Sequence, residues 1–235
     1  MTTSTTRLPD RLALTALVTF AAALAALALS GAHDAAAHEG THATHATHAT
    51  APQPISANEL ALRRTMDRLW EEHVAWTRLA IISLTTKAPD TQATVARLLA
   101  NQTDIGNAVK PFYGAAAGKQ LTALLREHIL IAADLIAVAQ KGDEAGVSTQ
   151  QTRWTKNADQ IADFLSGANP RHWKQGEMRH MMHEHLRLTT NEVVARLTEN
   201  WTADVKAYDR VEREILQMSE MLADGLVAQF PSRFA

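Results

Sequence analysis

From Ser56 to Gln229 the apolar residues of this chain recur at the period of an α-helix, broken only by short stretches of proline, glycine, asparagine and aspartate. That pattern restricts the body to helix packed on helix. Ser56 followed by Glu59 has the form of a capping box, and Leu69, Trp70, Trp76, Ala80, Ile81 and Leu84 continue the first stripe. A second helix is expected from Pro89 through Val95, Leu98, Leu99, Ile105 and Val109, with a stop at Pro111-Phe112-Tyr113-Gly114. A third covers about 119–140. Gly142-Asp143 opens a fourth, which Gly167 and Asn169-Pro170 close, and the last two span about 177–198 and 201–229. The expected fold is all-α, a six-helix up-down bundle over 56–235.

A repeat runs through this pattern. His73, His128 and His185 each follow an acidic residue (Glu72, Glu127, Glu184) and are separated by 55 and 57 residues. Each intervening helix has an asparagine near its expected start: Asn101 with Asp104, Asn157 with Gln160, and Asn200 with Asp204. The body therefore reads as three related helical hairpins. His73 shares a face with Leu69, Trp76 and Ala80, His128 with Leu124, Ile131 and Leu135, and His185 with Met178, Met181 and Leu188, so all three rings are expected to point inward. Asp104 and Asp204 are expected on or beside the inner stripes. Three histidines from three helices with one or two carboxylates can form a metal site. The commoner use of such a histidine is to hydrogen-bond an asparagine or aspartate of the next helix and fix the packing.

The N-terminal segment points outside the cytoplasm. Arg7 and Arg11 precede an apolar run from Leu12 to Leu29, which ends near the small residues Ser30-Gly31-Ala32. Residues 1–32 fit a cleaved signal peptide, and an uncleaved anchor is the competing reading. Residues 33–55 form a histidine-rich flexible linker in which His42, His45 and His48 recur every third residue, after His33 and His38. Neutral imidazoles at that density are ligands for copper, zinc or nickel. The plainer explanation is a small-residue linker expanded by a short repeat.

The chain has no cysteine and a formal net charge of -2, which excludes a disulfide framework and thiolate chemistry and gives nucleic acid no basic patch. GxSxG and phosphate-loop patterns are absent. Glu177-Met-Arg-His180 has the spacing of one di-iron ligand pair, but a di-iron bundle needs that spacing twice. The tryptophans are expected in core and rim. The methionines Met178, Met181, Met182, Met218 and Met221 suit core filling, with a Cu(I) site as the alternative.

The segments Leu69–Arg78 (LWEEHVAWTR), Asn101–Gly106 (NQTDIG), Pro111–Gly114 (PFYG), Leu121–His128 (LTALLREH) and Gln229–Pro231 (QFP) resemble a family of bacterial helical proteins that are exported or membrane-anchored and have no known activity. The resemblance covers about 69–234, implies one exported helical domain and carries over no catalytic residue. The resulting expectation is a secreted or cell-envelope protein that binds a transition metal, copper or zinc, through His42, His45 and His48 and through His73, His128 and His185 with Asp104 and Asp204. The alternatives are an envelope scaffold that binds an envelope or membrane protein, and a metal-dependent enzyme built around the three inward histidines.

Overall fold

The structure, a computed structural model, describes residues 55–235. The leader and the tract bearing His42, His45 and His48 lie outside the described residues. The described residues form five α-helices and no strand: α1 (Ala57–Thr86), α2 (Thr91–Ala139), α3 (Glu144–Ala168), α4 (Gln175–Leu197) and α5 (Trp201–Gln229), followed by a 3-10 turn, Pro231–Arg233. Helix α1 packs on α2 and α5, and α3 joins α2 to α4, so the helices close into a ring.

The all-α expectation holds, but the expected count of six helices does not. The stop expected at Pro111–Gly114 falls inside α2, which runs through Pro111 and leaves helical geometry only at Gly114 (φ 85°, ψ 170°). That backbone conformation is open essentially to glycine alone. There α2 doubles back on itself, so that Arg126 donates to the Leu99 carbonyl at 3.0 Å. A Cβ on Gly106 would stand 2.6 Å from the Gly118 carbonyl oxygen and 1.9 Å from Thr122 Oγ1, so the two arms touch backbone to backbone.

Local chemistry sets the other boundaries. Ser56 Oγ accepts from Glu59 N, while the Glu59 carboxylate pairs with Arg63 and leaves the capping box half formed. Asp143 and Asn200 cap α3 and α5 by accepting from Gly146 N and Ala203 N. The turns after α1, α2 and α4 each contain one residue in the left-handed region, Lys87, Gly142 and Glu199. These stand at the same interval after His73, His128 and His185.

The core is layered in the same register. Two turns before the three histidines lie Met66, Leu121 and Met178, and one turn before them lie Trp70, Leu125 and Met182, all in the main core. Two turns after them, Ile81, Ile136 and Val193 form a small cluster of their own. The end of the bundle near Gly114 is closed by aromatic contacts, with Phe112 against Phe230 and Phe234, and Tyr113 against Phe230 and bonded to Gln229. Two of the segments carrying the family resemblance, 111–114 and 229–231, therefore meet each other. Of the tryptophans, Trp70, Trp154 and Trp173 are core residues and Trp201 is exposed. No described helix is long and apolar enough to cross a membrane.

The connection from α3 to α4 is pinned at two points. Asn169 Nδ2 donates to the Gly225 carbonyl at 2.8 Å, and the buried Trp173 indole lies against α5 at Gly225. A Cβ on Gly225 would meet Trp173 Nε1 at 2.0 Å. Gly225→Ala is therefore expected to destabilise the fold by about 1–3 kcal/mol, the usual cost of overpacking. A urea titration monitored by tryptophan fluorescence measures it.

Candidate functional site

The three inward histidines come together on the bundle axis. Each is at most 4% exposed, and their ring centroids are 5.9 Å apart for His73 and His185 and 6.3 Å for His128 and His185. Each ring's Nδ1 is bonded to a side chain 29 residues further along the chain: His73 to Gln102 Nε2 at 3.2 Å, His128 to Asn157 Oδ1 at 2.8 Å and His185 to Glu214 Oε2 at 2.8 Å. These bonds leave all three Nε2 atoms outside them. Trp70 stands edge-on to His73, and Trp154 is tilted against His128.

The partners fix the tautomers. Asn157 spends its amide nitrogen on the Leu124 carbonyl at 3.1 Å, so its oxygen receives a proton from His128 Nδ1. The Glu214 carboxylate likewise accepts from His185 Nδ1. In the neutral form each of these two rings therefore carries its lone pair on Nε2. His73 is the opposite case. Gln102 Nε2 donates to the Leu98 carbonyl at 2.9 Å and turns its nitrogen toward the ring, so Nδ1 accepts and the proton sits on Nε2. Gln102 Oε1 is buried without a partner.

Burial is the main reason the His73 and His128 rings stay neutral. It holds His73 well below the ordinary imidazole pKa, and the neighbouring His185 and His128 push the same way. It lowers His128 to about 3, assisted by His185 and opposed by the Asn157 bond. An unfolded chain binds protons on these rings below about pH 6.5, whereas the folded chain does not until far lower, so stability is present above that pH and is lost on acidification. For His128 alone the expected loss between pH 7 and pH 5 is about 2 kcal/mol. Urea midpoints measured across that window check it, and His128→Gln should flatten the slope by about one proton.

The aspartates expected at the site are elsewhere. Asp104 lies exposed on α2, because the inner face of that arm passes through Asn101, Gln102 and Ile105. Asp204 is buried, but in the first turn of α5 it is held by Arg78 through two bonds and by Arg196 at 3.1 Å. Arg78 also donates to Glu192 at 2.8 Å and lies over the Tyr208 ring. Burial raises the pKa of Glu192 against the pull of Arg78, whereas Arg78 and Arg196 overcome burial and hold Asp204 below the usual range. Arg78→Met would leave two buried carboxylates without their main partner and is expected to cost about 3–5 kcal/mol in a denaturation experiment.

Asn200, expected as the third member of the asparagine series, caps α5; the position equivalent to Gln102 and Asn157 is Glu214. Glu177 and His180 are exposed, and no second pair of that spacing joins them. Met178, Met182 and Met218 fill the core, and Met181 and Met221 pack against it. Among the described residues no three His, Asp or Glu side chains stand close enough, as arranged, to hold an ion. The residues that sequence reasoning missed are Gln102, Glu214, Arg78 and Glu192. The first two were findable from the constant interval after each histidine.

No family model, curated protein or solved structure matches the chain.

Proposed function

We propose that this chain is an exported helical protein of the cell envelope or the extracellular space, built as three repeated hairpins of six helical segments, that takes up one transition-metal ion, copper or zinc, between His73, His128 and His185. The observation that carries the reading is the convergence of three imidazoles, each fixed through Nδ1 by a partner in its own hairpin. In metal-binding histidines the nitrogen that is not the ligand is held in this way, setting ring orientation and tautomer. His128 and His185 offer lone pairs as they stand. His73 becomes the third ligand when its proton moves to Nδ1 and Gln102 turns its partnerless Oε1 to receive it, giving up its bonds to the Leu98 carbonyl and Asn101 Oδ1.

The two pairs that His185 makes need little movement: imidazoles that share an ion at about 2.0–2.1 Å have centroids about 5–5.5 Å apart, so each of these pairs closes by roughly 1 Å or less. The apolar run 12–29 and the resemblance to exported or anchored bacterial proteins support the location. The tract with His42, His45 and His48 would serve as a weaker gathering site near the mature N-terminus.

A second reading has its own support: every one of the three rings already has a hydrogen-bond partner, which suffices for a scaffold that docks another envelope protein. Calorimetric titration with Zn(II) and Cu(II) separates the two. The full chain with His33, His38, His42, His45 and His48 replaced by alanine is expected to bind one equivalent, and His128→Gln with His185→Gln in that background should abolish it. At a hundredfold excess over Kd the ion should add about 2.7 kcal/mol of stability. Absence of binding to the tract-substituted chain overturns the metal reading at the three rings and leaves the scaffold.

A further inference from the structure

Among the described residues the chain reverses direction five times. Four of the reversals use three to six non-helical residues: 87–90, 140–143, 169–174 and 198–200. The fifth, inside α2, uses one. Gly114 alone leaves helical geometry there, between two helical arms. Return of this single residue to helical φ and ψ would make α2 one straight helix of 49 residues, about 73 Å long.

Local structure offers little resistance to that change. Gly114, Ala115 and Ala116 are exposed, and a Cβ on Gly114 would meet nothing within 4 Å. Pro111 already stands inside the helix, so its cost is common to the bent and straight forms. Ala115, Ala116 and Ala117 follow the pivot, and alanine is the best helix former.

Packing is what holds the bend. Straightening carries the first hairpin, α1 with the first arm of α2, away from the rest of its own bundle. The contacts it loses are Arg63 with Asp224 at 2.6 Å, Ser219 with Asp67 at 2.8 Å, Arg78 with Asp204 and Glu192, and Gly106 against Gly118. A second copy straightened in the same way presents every one of these partners in the same arrangement, and two such copies satisfy each other with nothing left over.

We propose that this chain exchanges its first hairpin between two copies, pivoting at Gly114, so that α2 runs continuously from one bundle into the other. Each ring layer then joins His73 of one copy to His128 and His185 of the other. The exchange needs no metal.

The test uses the full chain carrying Arg63→Cys and Asp224→Cys, the only thiols in a chain without cysteine, joined after folding by a short bis-maleimide. The link falls within one chain in the bent form and between two chains in the exchanged form, which a denaturing gel separates. After refolding from urea, the share of chain-to-chain links should rise with protein concentration. Alanine at 114 is strained in the bent form and favoured in the straight one, so Gly114→Ala should raise the dimerisation constant by about a thousandfold or more, with two pivots per dimer. Gly142→Ala strains a turn of the same kind (φ 68°, with nothing within 4 Å of a Cβ) but lies among four non-helical residues, and should not raise it. A Gly-Ser-Gly-Ser insertion after Gly114 relaxes the bend and should reduce chain-to-chain links to background. Links confined to single chains in the unsubstituted pivot at high concentration would overturn the exchange. An equal rise in Gly142→Ala, or links that survive the insertion, would overturn Gly114 as its pivot.

Discussion

A buried imidazole brings two ring nitrogens that both need partners, and this protein buries three of them on one axis. Gln102, Asn157 and Glu214 answer that need at one nitrogen of each ring, always from the returning helix of the same hairpin. The bond sets the register between the two strokes of each hairpin, because a slip of one turn moves the partner by about 5.4 Å. The layers of apolar residues above and below the rings follow that register. Trp70, Leu125 and Met182 stack on one side, and Ile81, Ile136 and Val193 on the other.

A structural and a ligand-binding role are compatible in such an arrangement, since they use different atoms. Nδ1 holds the hairpin together, and Nε2 is left over in the interior. The asymmetry among the partners then acquires meaning. Two amides and one carboxylate surround three otherwise equivalent rings, so the hairpin containing His185 contributes the only negative charge among the partners. A divalent ion placed among neutral imidazoles is offset in part by Glu214. The arginine-bridged carboxylates Glu192 and Asp204 already have cations of their own and have no such capacity to spare.

Much of the fold was legible because helical periodicity and turn residues are local signals. Helix α5 and the ends of α3 fall close to where the pattern puts them. The inward direction of His73, His128 and His185 was legible for the same reason, since neighbours three and four residues away show which face is apolar. The partners were not, because matching by residue type follows identity whereas the structure follows position. Three different residues, Gln102, Asn157 and Glu214, do one job, and the asparagine that resembled the others, Asn200, does a capping job instead. Asp104 and Asp204 illustrate the remaining gap. Whether an acidic residue near an inner stripe faces solvent or an arginine depends on a helix distant in sequence, here α1 with Arg78. The expected break at Pro111–Gly114 was real as a change of direction but not as a loop, because Gly106 and Gly118 let the two arms of α2 turn directly on each other.

The constant 29-residue interval within each hairpin contrasts with the unequal 55- and 57-residue spacing between successive histidines. Chain length is therefore free to drift between hairpins but not within them. One residue added at Lys87 or Gly142 would swing every following side chain of the returning helix by about 100° and turn the ring partner away from its histidine. The exposed stretch Pro170–His172, by contrast, leads into Trp173 without belonging to any helix, and it is the place where a tag, a label or a second domain can be spliced in while the three rings keep their companions.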